Sequence, residues 1–164
     1  CESTGRNNDY TCNHAAFQYW SKLMQIKENF DAFEDLVPPI TELNKSYREN
    51  LAEGRLILQA CAPCGKNQYP FESFCYECGS TDLTEVSSTG EGSVYSFVKV
   101  HQPYHPAFKP FIPYFVSTVQ LDDGPRMLAA MFESDDVLEI GDRVAARIEK
   151  ISETEAMLLF EKIR

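Results

Sequence analysis

Four of the six cysteines fall in a pattern that binds metal. Cys61-Ala-Pro-Cys64-Gly65 is followed, after ten intervening residues, by Cys75-Tyr-Glu-Cys78-Gly79. In each C-x2-C-G turn the two sulfurs lie one tight loop apart, and the glycine lets the backbone turn beneath a metal with its amides aimed at sulfur. Two such knuckles make one tetrahedral site. With every position filled by thiolate there is no coordination site left for water or substrate, so the ion is expected to be structural zinc, held by Cys61, Cys64, Cys75 and Cys78.

The gap between knuckles is shorter than the commonest ribbon spacing, yet paired C-x2-C units rarely arise by chance. Two readings stand against zinc. The cysteines could form disulfides or remain free core thiols, although disulfides are rare in the cytosol. The same four thiolates could also hold a redox-active iron, as in rubredoxins. Cys12 and His14 lie close together, but two donors without a second pair are read as a free thiol and a surface imidazole.

The 164 residues suffice for one ordinary domain and a small one. No run of eighteen apolar residues occurs and no charged-then-apolar leader opens the sequence, so neither a membrane span nor a signal peptide is expected, and the expected compartment is the cytoplasm. Opening on Cys1 without Met, the sequence is read as having a start that was cut or was set by how the protein was expressed; a lipoprotein would also begin with Cys, without other support here. Acidic residues number 25 against 15 basic, a net charge of −10, and no segment is basic. Nucleic-acid binders draw most of their affinity from clustered Lys and Arg, so that class is disfavoured.

The metal turns need elements to carry them. Residues 1–13 are polar and are expected to be a mobile end. From Ala15 to Val37, Ala16, Trp20, Leu23, Met24, Ile26, Phe30, Phe33 and Val37 recur at three- and four-residue steps, the mark of one or two amphipathic helices that end at Pro38-Pro39. This stripe is either core or a partner-docking face. Thr41 with Glu42 starts a further helix, with apolar Leu43, Tyr47 and Leu51, that stops at Gly54. Leu56 to Ala60 reads as a strand entering the first knuckle; Tyr69-Pro70-Phe71 is expected to cover the small site; Ser80 to Gly92 reads as a ribbon strand and linker.

From Gly90 onward the sequence reads as β. Val94–Val100, Tyr114–Leu121, Met127–Phe132, Arg143–Ile151 and Ala156–Ile163 are β-branched or alternating, and turn residues separate them. Five short strands predict a small barrel of the OB type, with Ser134 to Leu138 at its connecting segment. The connection from His101 to Pro113, stiffened by four prolines, is the expected binding surface of the barrel. The fold class is therefore mainly β with N-terminal α: a helical extension over 1–37, a helix and zinc ribbon over 38–89, and an OB-fold over 90–164.

Several motifs together resemble the DUF35 family. They are Pro38-Pro39, the helix leading into Glu53-Gly54-Arg55-Leu56, both knuckles, Gly90-x-Gly92-x-Val94-Tyr95-Ser96-Phe97, Pro113-Tyr114, Leu121-Asp122-Asp123-Gly124 and Ile140-Gly141-Asp142-x-Val144. The resemblance runs from Pro38 to the end and leaves residues 1–37 outside. It implies a rubredoxin-like zinc ribbon joined to an OB-fold, without catalytic residues, acting as accessory subunit to a thiolase or a thiolase-like aldolase or acyltransferase, or to some hydratases. The partners it implies are a thiolase-like catalytic subunit in a hetero-oligomer and an acyl-CoA, with no nucleic acid and no membrane. A CoA thioester is then a possible ligand, and His101, His105, Lys109, Phe111, Tyr114 and Arg126 are the groups to weigh for CoA or partner contacts. The sequence agrees in lacking a nucleophile elbow, a phosphate loop and a paired His and carboxylate at helical spacing. A net charge of −10 gives no long-range attraction to CoA, so such a site must rely on local donors, stacking or the partner. The alternatives are a ribbon–OB nucleic-acid module, for which the aromatics are present and the basic groove is not, and a rubredoxin-like electron carrier.

Overall fold

The computed structural model describes residues 24, 37–131 and 138–163. The expected N-terminal helices, Cys12 and His14 thus lie outside the described residues, apart from exposed Met24 and half-buried Val37.

The first element among the described segments from residue 37 on is helix α1, Lys45–Ala52. Ahead of it Thr41 and Asn44 bond reciprocally: the Thr41 amide donates to Asn44 Oδ1 at 2.7 Å and the Asn44 amide to Thr41 Oγ1 at 3.3 Å. The expected start at Thr41 is therefore a turn that satisfies free backbone donors before the helix proper begins. The expected stop at Gly54 holds. Its φ of +83° lets the Arg55 amide reach the Asn50 carbonyl at 2.8 Å while the Gly54 amide reaches Leu51 at 2.9 Å, the paired bonds of a Schellman end.

Strands β1 (Ile57–Cys61), β2 (Asn67–Gln68) and β3 (Leu83–Ser87) form a three-stranded antiparallel sheet in the order β2-β1-β3. This is the ribbon. Tyr69 and Phe71 pack on Tyr47 of α1, with ring centroids 5.2 and 5.8 Å away. Burial, with the neighbouring Tyr69 hydroxyl, pushes the Tyr47 phenol far above its usual range, so it stays neutral.

Strands β4 (Glu91–Val100), β5 (Tyr114–Leu121), β6 (Arg126–Met131), β7 (Arg143–Lys150) and β8 (Ala156–Lys162) close into a barrel in the order β4-β5-β6-β8-β7. Consecutive hairpins join β4, β5 and β6, and a short parallel pairing of Ala130 with Leu159 closes β6 on β8. Side chains alternate faces along a strand, so Phe115, Ser117, Val119 and Leu121 of β5 turn inward beside Met127 and Met131 of β6. Register slips by one residue between Val94 and Ser96, a bulge that leaves Tyr95 as the extra residue. Gly92 lies so close to β5 that a Cβ there would sit 2.4 Å from the Gln120 carbonyl oxygen.

Ribbon and barrel share one core. A single buried cluster contains Leu51, Leu56 and Leu58 from the ribbon side and Val94, Phe115, Val119, Val144 and Phe160 from the barrel. Only residues 88–90 join β3 to β4, and they are pinned: the Ser88 amide donates to the Leu56 carbonyl, and the Thr89 amide to Asp123 Oδ2 at 3.0 Å. Asn67 Nδ2 reaches the Asp123 carbonyl at 2.6 Å, so the β5–β6 turn grips the ribbon hairpin and the linker together. On the opposite side Arg48 of α1 pairs with Glu155 of the β7–β8 turn.

A second cluster forms outside the barrel, where the 3-10 helix Pro106–Phe111 folds over β5, β6 and β8 and buries Phe111, Tyr114 and Leu159. Among the described residues no helix is long and apolar enough to cross a membrane.

Asp142 supports the barrel's closure between β4 and β7. Its carbonyl accepts from Val94, and its carboxylate accepts from the Glu139 amide at 2.8 Å and from Lys162 Nζ at 2.9 Å. The Lys162 bond, then the Glu139 amide, hold the carboxyl below its usual range. A carboxyl depressed on folding stabilises fully above its unfolded pKa, about 3.9, and that stabilisation is lost as pH falls through the lower folded value. Asp142→Asn is expected to lower the melting temperature at pH 7 and to flatten the decline of melting temperature between pH 5 and pH 2, read by calorimetry; an unaltered acid limb would remove Asp142 from this role.

Candidate functional site

β1 ends on Cys61, and the chain turns through Cys64 into β2; a second, strandless loop carries Cys75 and Cys78 into β3. The two turns repeat one geometry. The Gly65 amide donates to the Cys61 carbonyl at 2.8 Å, and the Gly79 amide to the Cys75 carbonyl at 2.9 Å. The amides of Cys61 and Cys75 in turn bond the carbonyls of Lys66 and Ser80 at 2.9 and 2.8 Å. Gly65 and Gly79 have φ of +68° and +72°, and a Cβ at either would meet nothing, so glycine is required there by backbone conformation and not by space.

The four sulfurs lie within 4.8 Å of one another. Cys61 Sγ is 3.5 Å from Cys78 Sγ, and Cys64 Sγ is 3.6 Å from Cys75 Sγ. Zinc–sulfur bonds of about 2.3 Å at tetrahedral angles place sulfurs about 3.8 Å apart, so this donor set fits the ion without rearrangement. Cys61 and Cys75 are buried, and Cys64 and Cys78 face solvent. The backbone N–H of Cys78 draws the Cys75 thiol down to about 7, against the pull of desolvation. The Cys61 thiol is also lowered by a backbone hydrogen bond at Cys64, but desolvation and sharing among the sulfurs drive it up to about 12. Without a cation the cluster holds one ready thiolate and resists the next. A divalent ion removes that conflict by neutralising the sulfurs together.

Two glutamines that the sequence did not mark complete the site. Gln68, buried on β2, donates to Gln59 Oε1 at 3.0 Å and to the Phe74 carbonyl at 3.1 Å, and accepts from the Tyr76 amide at 3.0 Å. Gln59 bonds both backbone groups of Glu72, its Nε2 to the carbonyl at 3.0 Å and its Oε1 from the amide at 2.8 Å. Together they fix residues 72–76, the loop that presents Cys75. The available signal was a polar Gln59 in the otherwise apolar run Leu56-Ile-Leu-Gln-Ala.

The groups weighed for ligand contacts do not converge on one point. His101 and Lys109 are exposed on the connection between β4 and β5, and His105 is half-buried there. Phe111 and Tyr114 are buried beneath that connection, with Phe108 stacked on Tyr114 at 5.5 Å. Arg126 lies elsewhere, at the start of β6, with its guanidinium 3.5 Å over the Tyr95 ring and Nε bonded to Gln120 Oε1 at 3.0 Å.

Both halves match known families. Residues 48–84 match the model described as ChsH2, rubredoxin-like zinc ribbon domain, and residues 85–149 the model described as ChsH2, C-terminal OB-fold domain. A DUF35 domain-containing scaffold protein of Methanothermobacter thermautotrophicus is 30% identical over 116 residues, which span 70% of this chain and 86% of that protein. The chain belongs to the DUF35 family. A structure described as an Ltp2-ChsH2(DUF35) aldolase aligns with TM-score 0.68 and 32% identity over 77% of this chain and 98% of that one. A DUF35 structure from Sulfolobus solfataricus, 12% identical with TM-score 0.54 over 90% of this chain, shares the fold. A probable enoyl-CoA hydratase alpha subunit of Thermomonospora curvata is 37% identical over 105 residues, but this DUF35 chain spans only about a third of it, 32%. The zinc-ribbon model and the four-sulfur cluster together support structural zinc in this DUF35 chain.

Purified full chain is expected to carry about one zinc per polypeptide and to be colourless. Gln68→Ala, which strands Gln59 and the Tyr76 amide, should weaken zinc retention in chelator competition by about ten- to a hundred-fold. Red, iron-bearing protein would replace zinc with iron, and unchanged retention would remove Gln68 from the site.

Proposed function

We propose that this DUF35 chain is a non-catalytic subunit of a heteromeric acyl-CoA enzyme, with a thiolase or a thiolase-like lyase or acyltransferase as its catalytic partner. The observation that carries the reading is the alignment over 98% of the DUF35 chain in the Ltp2-ChsH2 aldolase, at 32% identity. Scaffold proteins and a hydratase alpha subunit among the relatives support the same class of role. The compartment in this reading is the cytoplasm.

The physical contribution is positional. Zinc makes a small ribbon rigid, the ribbon is fused to the barrel through a common core, and the barrel then offers fixed surfaces to a partner. Holding a thioester in a reactive geometry lowers a barrier by several kcal/mol without any chemical group from the subunit. A CoA thioester would meet this chain at the 101–113 connection, where His101 and Lys109 present donors to solvent and the buried pair Phe111 and Tyr114 hold the segment to the barrel.

Reconstitution is the test: acyl-CoA turnover by the partner alone, by this chain alone, and by the mixture. The chain alone should show none, and adding it should raise the partner's rate by about ten-fold or more. Lys109→Ala should raise the complex's KM for the acyl-CoA with little effect on melting temperature. Turnover by the chain alone, or a partner indifferent to it, would contradict the proposal.

A further inference from the structure

The outer face of β4–β5–β6 mixes apolar side chains with Ser96, Thr118 and Gln120, and among the described residues it is covered only at one end. Val116 and Ala130 border the cluster under the 106–111 segment. Val98 on β4 pairs with Val116 in the same cross-strand row, and Leu128 on β6 flanks that row one place along, opposite Thr118. Val98 is 60% exposed and Leu128 67%. The far end of the face is marked by Tyr95, the bulge residue, with Arg126 lying on its ring.

Arg126 differs from the other described arginines. Arg48 pairs with Glu155, Arg55 with Glu53, Arg143 with Asp122 and Glu91, and Arg147 with Glu149 and Glu161. In a chain with 25 acidic residues, Arg126 alone of these is matched with no carboxylate among the described residues. Its partners orient it instead. The Tyr95 ring fixes the guanidinium plane and Gln120, itself bonded to the Gly124 carbonyl at 2.6 Å, takes Nε, while among the described residues no hydrogen bond engages the terminal nitrogens. A guanidinium held in one plane is a preformed fork for a carboxylate.

We infer that this face docks a protein subunit whose surface sets an aspartate or glutamate beside an apolar patch, with Val98 and Leu128 buried at the centre and Arg126 receiving the carboxylate. The inference rests on the accessory-subunit reading and deepens it by naming the contact surface. An open, pleated row offers area to a protein but no walls around a small ligand, so a CoA phosphate is the lesser match to Arg126. Fixed arginines and tyrosines beside apolar centres are the residues that dominate binding at protein interfaces.

The experiment measures affinity between the full chain and the acyl-CoA enzyme subunit that co-purifies and reconstitutes with it. Arg126→Glu and Leu128→Asp should each weaken binding by about ten-fold or more, and Tyr95→Leu by less. Lys150→Glu, the same change of net charge as Arg126→Glu but at the exposed end of β7, should leave affinity within about two-fold, and calorimetry should show all four variants folded. If the wild-type chain binds the subunit and Arg126→Glu or Leu128→Asp binds as well, the docking face is wrong while the accessory reading stands. If Arg126→Glu weakens binding of CoA and not of the subunit, the inference is also overturned. If no acyl-CoA enzyme subunit binds the wild-type chain, the accessory reading fails and takes the inference with it.

Discussion

Four sulfurs within 4.8 Å of one another cannot all ionise unless a cation sits among them. That conflict organises the ribbon. The sheet that delivers Cys61 is three strands, one of only two residues, too little to bury a core of its own. The ion therefore contributes folding free energy on the order of 10 kcal/mol, and the knuckle glycines and the Gln59–Gln68 network hold the loops where it can be collected.

The metal's influence does not end at the ribbon. Leu51, Leu56 and Leu58 belong to the same buried cluster as Val94 and Val119, and the Asp123 turn holds Asn67 and Thr89 at once. A rigid junction of this kind fixes the barrel faces relative to the sulfur site. For a subunit proposed to work by position, that junction matters more than any single polar group on its surface, because a misplacement of about 1 Å is enough to undo a positional contribution.

Legibility followed locality. The knuckles, the helix stop at Gly54 and the five barrel strands were readable because each is specified by neighbouring residues: cysteine spacing, a glycine in the left-handed region, alternation bounded by turns. What was not readable depends on contacts through space. Tyr114 shares the outward parity of Val116 and Thr118, and only the 106–111 segment folded across it makes it core. The link between Gln59 and Gln68 joins facing residues of two strands, and the Tyr95–Arg126 stack needs both a bulge in β4 and a neighbouring strand two places away. Tyr69 and Phe71, expected to cover the metal, pack on Tyr47 of the helix because the ribbon's apolar surface is continuous with α1.

The central claim is that the cation in the sulfur cluster holds the ribbon and, through the shared core, steadies the barrel. Hydrogen exchange by mass spectrometry on zinc-loaded and chelator-stripped full chain measures this directly. Stripping should abolish protection across β1 to β3 and reduce it in β4 and β5 around Val94 and Val119. Ribbon amides that remain protected after the metal is removed would contradict the account.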